Sequence, residues 1–259
     1  MPPKVDAFRT ADVLQGRQRM PKGSFLGHLS SETWKLLVNA WGSDARVYER
    51  DEVLPTGPDR QYVHIVLGGC VRQDRFPFGD DDGSPTITRF RGVGQVLGEA
   101  KLIEPRSHVL TTCLTTTWVM PCFVPRMHAF FRKAPDVQLA LLRSLEDRNR
   151  SDEIIYTMAA RTPLRRVAGL LAHLAEGAEA TEATEATEAP GNAPGASLGA
   201  RVTIAGPSQK DMAAALLLGL STVENAVRDL RNSGVLDNKY RQFVVSDLAA
   251  LHGIAAAVP

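Results

Sequence analysis

Three stretches predict an α+β chain. Short strands separated by turns run from Arg46 to about Pro121, a long helical run covers 126–160, and two short amphipathic helices fill 208–236. Taken in order, they give a small antiparallel sandwich or roll, a connecting helix and a C-terminal winged helix-turn-helix.

The strand candidates are Ala45–Glu49, Tyr62–Leu67, Val71–Arg75, Thr86–Arg91, Val109–Thr115 and Thr117–Met120. Thr56-Gly57-Pro58, Gly68-Gly69, Gly79–Gly83 and Gly92/Gly94 separate them, supplying the backbone freedom that tight turns need. Ahead of the strands, residues 1–24 read as a flexible arm without periodicity. A helix follows, opened by Ser30-Ser31-Glu32, carrying Trp34, Leu37, Val38 and Trp41 at helical spacing, and closed by Gly42.

In the long run, interrupted at Pro135, Val137, Leu141, Ser144, Arg148, Ser151, Ile155 and Met158 alternate at spacings of four and three. That is a coiled-coil-like seam with apolar ends and a polar middle, which reads either as a register-setting or solvated stretch or as a surface facing a ligand in a dimer. Thr162-Pro163 makes a hinge, because the residue before proline disfavours helix, and a further helix runs to about Glu176. The tract 177–200, with its ATE repeat and Pro/Gly-rich end, reads as a low-complexity acidic insertion. Its Ala and Glu residues can extend the preceding helix by a turn or two.

In SQKDMAAALLLGLSTVENAVRDLRNSGVL, the helical pattern breaks near Leu217–Gly219 and resumes with Val223, Val227 and Leu230. Strands at Arg201–Ile204 and Gln242–Val245 flank it. In this motif the second helix enters a major groove.

Composition bounds the function. The 259 residues suffice for two domains, and 44% hydrophobic and 23% charged residues are ordinary for a globular protein. A formal net charge of +1 gives no global attraction to nucleic acid or membrane. No apolar run approaches the roughly 18 residues of a membrane span, and the N-terminus lacks the apolar core of a signal peptide. Cys70, Cys113 and Cys122 are scattered, as expected of buried thiols in a reducing cytoplasm and not of a disulfide framework or metal site. His64, His108 and His128 are isolated and no nucleophile–base pair presents itself, so no enzyme is predicted. Asp80–Asp82 reads as a solvated hairpin tip, without the ligand spacing of a calcium loop.

Residues 92–107, GVGQVLGEAKLIEPRS, combine close-approach glycines with Glu99, an acceptor for sugar hydroxyls, and Arg106, which can bind phosphate bidentately. By composition alone the pattern fits a Gly-rich hairpin with a surface ion pair better than a ribose-phosphate cradle.

This order of parts, over about residues 25–250, resembles the CRP/FNR superfamily of transcription regulators. The resemblance implies a cyclic-nucleotide-binding-like β-roll over 25–125, a dimerisation helix over 126–160 and a winged helix-turn-helix DNA-binding domain over 161–259. Gly98-Glu99 and Pro105-Arg106-Ser107 match the family's phosphate-binding cassette, and Gly68-Gly69 matches a turn of its roll. Ser151 and Asp152 fall where cAMP-responsive members place two hydroxyl residues against the adenine, and Arg165-Arg166-Val167-Ala168 resembles the start of the post-hinge helix.

The implied effector site is Gly98, Glu99, Arg106, Ser107, Ser151 and Asp152, with cAMP, a related cyclic nucleotide or another small molecule as effector and no metal. The implied DNA contacts are Ser221, Thr222 and Asn225 to bases and Lys210, Arg228 and Arg241 to phosphates, with double-stranded DNA, a second copy of the chain and RNA polymerase as partners.

The chain departs from the family pattern in three places. Six residues separate Glu99 from Arg106, fewer than in the cAMP-binding members, and Asp152 replaces one hydroxyl. Leu217 stands where the turn usually has Gly, while Leu220, Ser221 and Asn225 occupy positions commonly Arg, Glu and Arg. From Arg201 onward six basic residues face five acidic ones, whereas many phosphate contacts would want a surplus. The alternative reading is a protein-binding regulatory module, its leucine-rich helix pair docking on a partner.

Overall fold

The structure is a computed structural model that describes residues 20–56, 60–76, 87–103, 109–156, 160–186, 201–239 and 242–256. Two compact units are formed, Met1–Arg148 and Asn149–Pro259.

The first unit opens with helix α1 (Ser31–Trp41), capped by Ser30, whose side chain accepts from the Thr33 amide. Seven strands follow: β1 (Arg46–Tyr48), β2 (Tyr62–Gly68), β3 (Val71–Arg75), β4 (Ile87–Arg91), β5 (Val96–Leu97), β6 (Val109–Cys113) and β7 (Thr117–Phe123). They make two antiparallel sheets, one of order β1-β7-β2-β5 and one of order β4-β3-β6. At the β2–β3 turn, where the chain passes from one sheet to the other, Gly69 has φ +88°, and a Cβ there would sit 2.5 Å from the Thr116 carbonyl oxygen, so only glycine fits this turn.

Two helices complete the unit, α2 (Val124–Lys133) and the start of α3 (Pro135–Tyr156). The predicted strands are present with ends shifted by a few residues. The two-residue β5, too short to show a period, was not predicted.

The core of this unit gathers Phe25, Trp34, Leu37 and Trp41 from the N-terminal side, Val63, Ile65, Trp118 and Met120 from the strands, and Val137, Ala140 and Leu141 from α3. The apolar start of the predicted seam is therefore turned into the chain's own roll, and Ser144 is buried with it. Two polar clasps hold this part of α3. Thr33 Oγ1 donates to Asp136 Oδ2 at 2.5 Å, and His28 Nε2 lies 2.8 Å from Asp147 Oδ2.

The second unit contains the end of α3, then α4 (Pro163–Ala186), β8 (Val202–Ala205), α5 (Gln209–Leu216), α6 (Leu220–Asn232), β9 (Leu236–Lys239), β10 (Gln242–Val245) and α7 (Leu248–Ala256). The sheet order β8-β10-β9 supplies the wing. Helix α4 continues ten residues past the predicted end at Glu176, because the Ala and Glu of the repeat are strong helix formers. Residues 187–200 lie outside the described residues. The interior packs Val167, Leu170 and Leu171 with Met212, Leu216, Val223, Val227, Leu230 and Leu251, all nearly inaccessible.

One buried group makes the fold sensitive to acid. His64 on β2 is 2% exposed, and its Nδ1 has no hydrogen-bond partner. Burial, then the Lys101 and Arg46 charges, lower its pKa from 6.5 to about 4. The unfolded chain binds this proton in the window between those values while the fold does not, so stability falls as pH drops through it. Chemical denaturation at pH 7 and pH 4.5 is expected to show a loss of roughly 2 kcal/mol from this group, and His64→Gln is expected to remove that part of the slope.

Candidate effector and nucleic-acid sites

Gly98 leaves β5 with φ +75°, a left-handed conformation that glycine adopts without strain. It starts a single 3₁₀ turn, Glu99–Leu102, which sets Glu99 on the inside of the roll with 11% of its side chain exposed. Arg148, on α3, reaches this carboxylate. Its Nη2 donates to Glu99 Oε1 and its Nη1 lies 3.4 Å from the Val96 carbonyl oxygen. Arg75 stands 3.8 Å from the same carboxylate oxygen.

Burial alone would raise the Glu99 pKa. The Arg148 charge and hydrogen bond, with smaller help from the Glu99 backbone and the Arg75 charge, overcome burial and hold it below the ordinary carboxylate value. A depressed carboxylate contributes stability above its unfolded pKa and loses it as pH falls through the folded value. Glu99 Oε2 is buried and has no hydrogen-bond partner, leaving an ionised acceptor facing inward.

Beside Glu99, Lys101 is 5% exposed and its Nζ donates to the carbonyls of Arg60 and Tyr62, at 2.8 and 3.4 Å. Burial lowers its pKa.

Of the predicted effector residues, the structure places Gly98 and Glu99 together, while Arg106 and Ser107 lie outside the described residues. Ser151 and Asp152 are half-buried on α3, three and four residues beyond Arg148. Arg75 and Arg148 were not among the predicted site residues. Arg148 did carry a signal, a lone cation on the stripe Val137, Leu141, Ser144, which requires a buried counter-charge.

In the second unit, Ser208 caps α5 in a reciprocal capping box with Asp211. A Schellman-type pair closes α5: the Leu217 amide donates to the Ala214 carbonyl at 3.3 Å and the Leu218 amide to the Ala213 carbonyl at 3.0 Å. Arg166 on α4 donates to the Leu216 carbonyl. The turn so held sends the chain into α6, which buries Val223, Ala226, Val227 and Leu230. Ser221, Asn225 and Arg228 stand exposed on its other face, with Thr222 half-buried at its edge. Lys210 lies on α5, and Arg241 is outside the described residues. Arg228 Nη1 donates to Asn225 Oδ1 at 3.0 Å.

Among the described residues no cluster of His, Cys, Asp and Glu could hold a metal ion, and no helix is long and apolar enough to cross a membrane.

No family model matches the chain. No curated protein matches it either. Solved structures do. A candidate cAMP-binding regulatory protein from Silicibacter pomeroyi is 19% identical, with 97% of this chain and 100% of that one covered at a TM-score of 0.61. FixK2 from Bradyrhizobium japonicum is 22% identical over 83% of this chain and 98% of its own, at 0.56. A CRP/FNR-family transcriptional regulator from Thermus thermophilus is 20% identical over 82% and 98%, at 0.55.

The Glu99–Arg148 pair yields a prediction. Arg148→Met leaves the buried carboxylate with only the more distant Arg75 as counter-charge and is expected to cost about 3 kcal/mol in urea denaturation. Adding Glu99→Gln to that variant is expected to recover a large part of the loss, whereas additive losses would show that the two side chains are not coupled. At these identities the likeness is one of fold, and the fold of this chain is that of the CRP/FNR regulators.

Proposed function

We propose that the chain is a dimeric, DNA-binding transcription regulator of the CRP/FNR type, controlled by a ribose-phosphate effector, cAMP or a related cyclic nucleotide. The observation that carries the reading is α6: a second helix of a winged helix-turn-helix, set by a capped α5 and a closed turn, with Ser221, Asn225 and Arg228 exposed. Lys210, Arg228 and Arg241 contact phosphates, while Ser221, Thr222 and Asn225 meet base edges.

Glu99 supports the effector half. Arg148 occupies one carboxylate oxygen, and the unpartnered Oε2 accepts a ribose hydroxyl. Arg106 and Ser107 take the phosphate, and Ser151 and Asp152 meet the base. A second copy docks along α3, where Leu139, Leu142 and Ile154 are 47%, 56% and 65% exposed although each is apolar. The roll then spans 25–125, the dimerisation helix 126–160 and the DNA-binding domain 161–259. Effector binding biases a two-state equilibrium at the hinge near Thr162 by about 1–3 kcal/mol, and RNA polymerase is a downstream partner in the cytoplasm.

Fluorescence anisotropy with labelled mixed-sequence duplex tests the DNA half. Affinity is expected to fall steeply between about 50 and 200 mM salt as counterions are released. No duplex binding even at about 50 mM salt would favour the protein-docking alternative instead.

A further inference from the structure

Leu217 is an outlier in two independent ways. Its φ of 52° lies in the left-handed region, where a side-chain-bearing residue is strained. Its side chain is also 74% exposed, so no packing within the fold accounts for keeping leucine there. Glycine is the residue that this C-terminal turn ordinarily takes. The turn is nonetheless held from both sides, by the two closing amide bonds and by Arg166 on the Leu216 carbonyl. Three residues on, Leu220 opens α6 with 44% of its surface exposed. An apolar side chain held at a strained, solvated position next to a recognition helix points to something it touches when bound.

Polar groups on α6 indicate what that is. Arg228 can only donate, so the atom of Asn225 that it meets is the amide oxygen, and the amide orientation is locked. One lone pair of Oδ1 and both N–H groups remain, which match the N6 donor and N7 acceptor of adenine. Guanine presents O6 and N7 acceptors and calls for Arg or Lys, but the positions that the resemblance assigns to base contacts hold Leu220, Ser221 and Asn225, and Arg228 on the same face is engaged with Asn225 Oδ1. The apolar feature that DNA offers in its major groove is the thymine methyl group.

We infer that this helix reads A·T pairs, with Leu217 and Leu220 packed on thymine methyl groups and Asn225 bound to the adjacent adenine. The inference rests on the DNA-binding reading above and adds the base specificity that the missing arginines leave open.

The test selects sites for the full-length protein from a randomised duplex pool, then replaces each selected thymine by deoxyuridine, which lacks only the methyl group. Half-sites rich in A·T are expected, with about fourfold weaker binding on losing a methyl at one or two positions. Leu220→Ala is expected to lose the thymine–deoxyuridine discrimination at one selected position and to keep it at the position that Leu217 covers. Leu217→Gly relieves the strained backbone, so it is expected to raise Tm while lowering methyl discrimination, which separates a reading role from a structural one. Selection of G·C half-sites, or equal affinity for thymine and deoxyuridine in the wild type, overturns the inference while leaving DNA binding intact. Absence of duplex binding overturns the regulator reading itself.

Discussion

A buried carboxylate clamped by an arginine from another element is the constraint on which the first unit depends. Glu99 cannot stay ionised inside the roll without a counter-charge, and Arg148 supplies it from α3. Because Arg148 sits on a helix, its reach fixes the register of that helix against the roll. Val137, Ala140 and Leu141 add apolar packing, and Asp136 and Asp147 tie the same segment to Thr33 and His28. Each of these contacts presupposes the others, so a ligand that alters the Glu99 environment acts on the helix as well. Such a ligand need only bind one arrangement more tightly than another to shift the balance.

The helix-turn-helix solves a different problem, a sharp turn without glycine at its left-handed position. Leucine there raises the energy of the fold, and the capping box at Ser208–Asp211, the closing amide bonds and Arg166 make the turn the only consistent solution. Strain that persists only because its surroundings over-determine it is a feature of sites where the side chain has work outside the fold. Helix α6 itself is ordinary, apolar inward and polar outward.

Much of this architecture was legible in the sequence, and the failures have definite causes. Val71–Arg75 shows the same bounds in sequence and structure because Gly68-Gly69 marks the turn just before it. The break at Leu217–Gly219 was visible because helical spacing resumes out of phase after it. The seam over Val137, Leu141, Ser144 and Arg148 had the correct period, yet a period cannot say whether the chain's own roll or another molecule covers the stripe. The roll does, and that left Arg148 unrecognised as the partner of Glu99. Its 49-residue separation from Glu99 puts their pairing beyond any local pattern. Strand β9 escaped because Asp237, Asn238 and Lys239 read as a turn, and α7 because its apolar residues fall on every side. For Arg106, Ser107 and Arg241, the resemblance to the family remains the basis of their assigned roles.

The claim that joins these parts is that the roll closes on a ribose-phosphate ligand through Glu99. Isothermal titration calorimetry of the purified full-length protein with cAMP and with cGMP addresses it most directly. The account predicts saturable heat at micromolar affinity with at least one of them, abolished by Arg106→Ala. No heat with either nucleotide, or undiminished binding in the Arg106 variant, would contradict it.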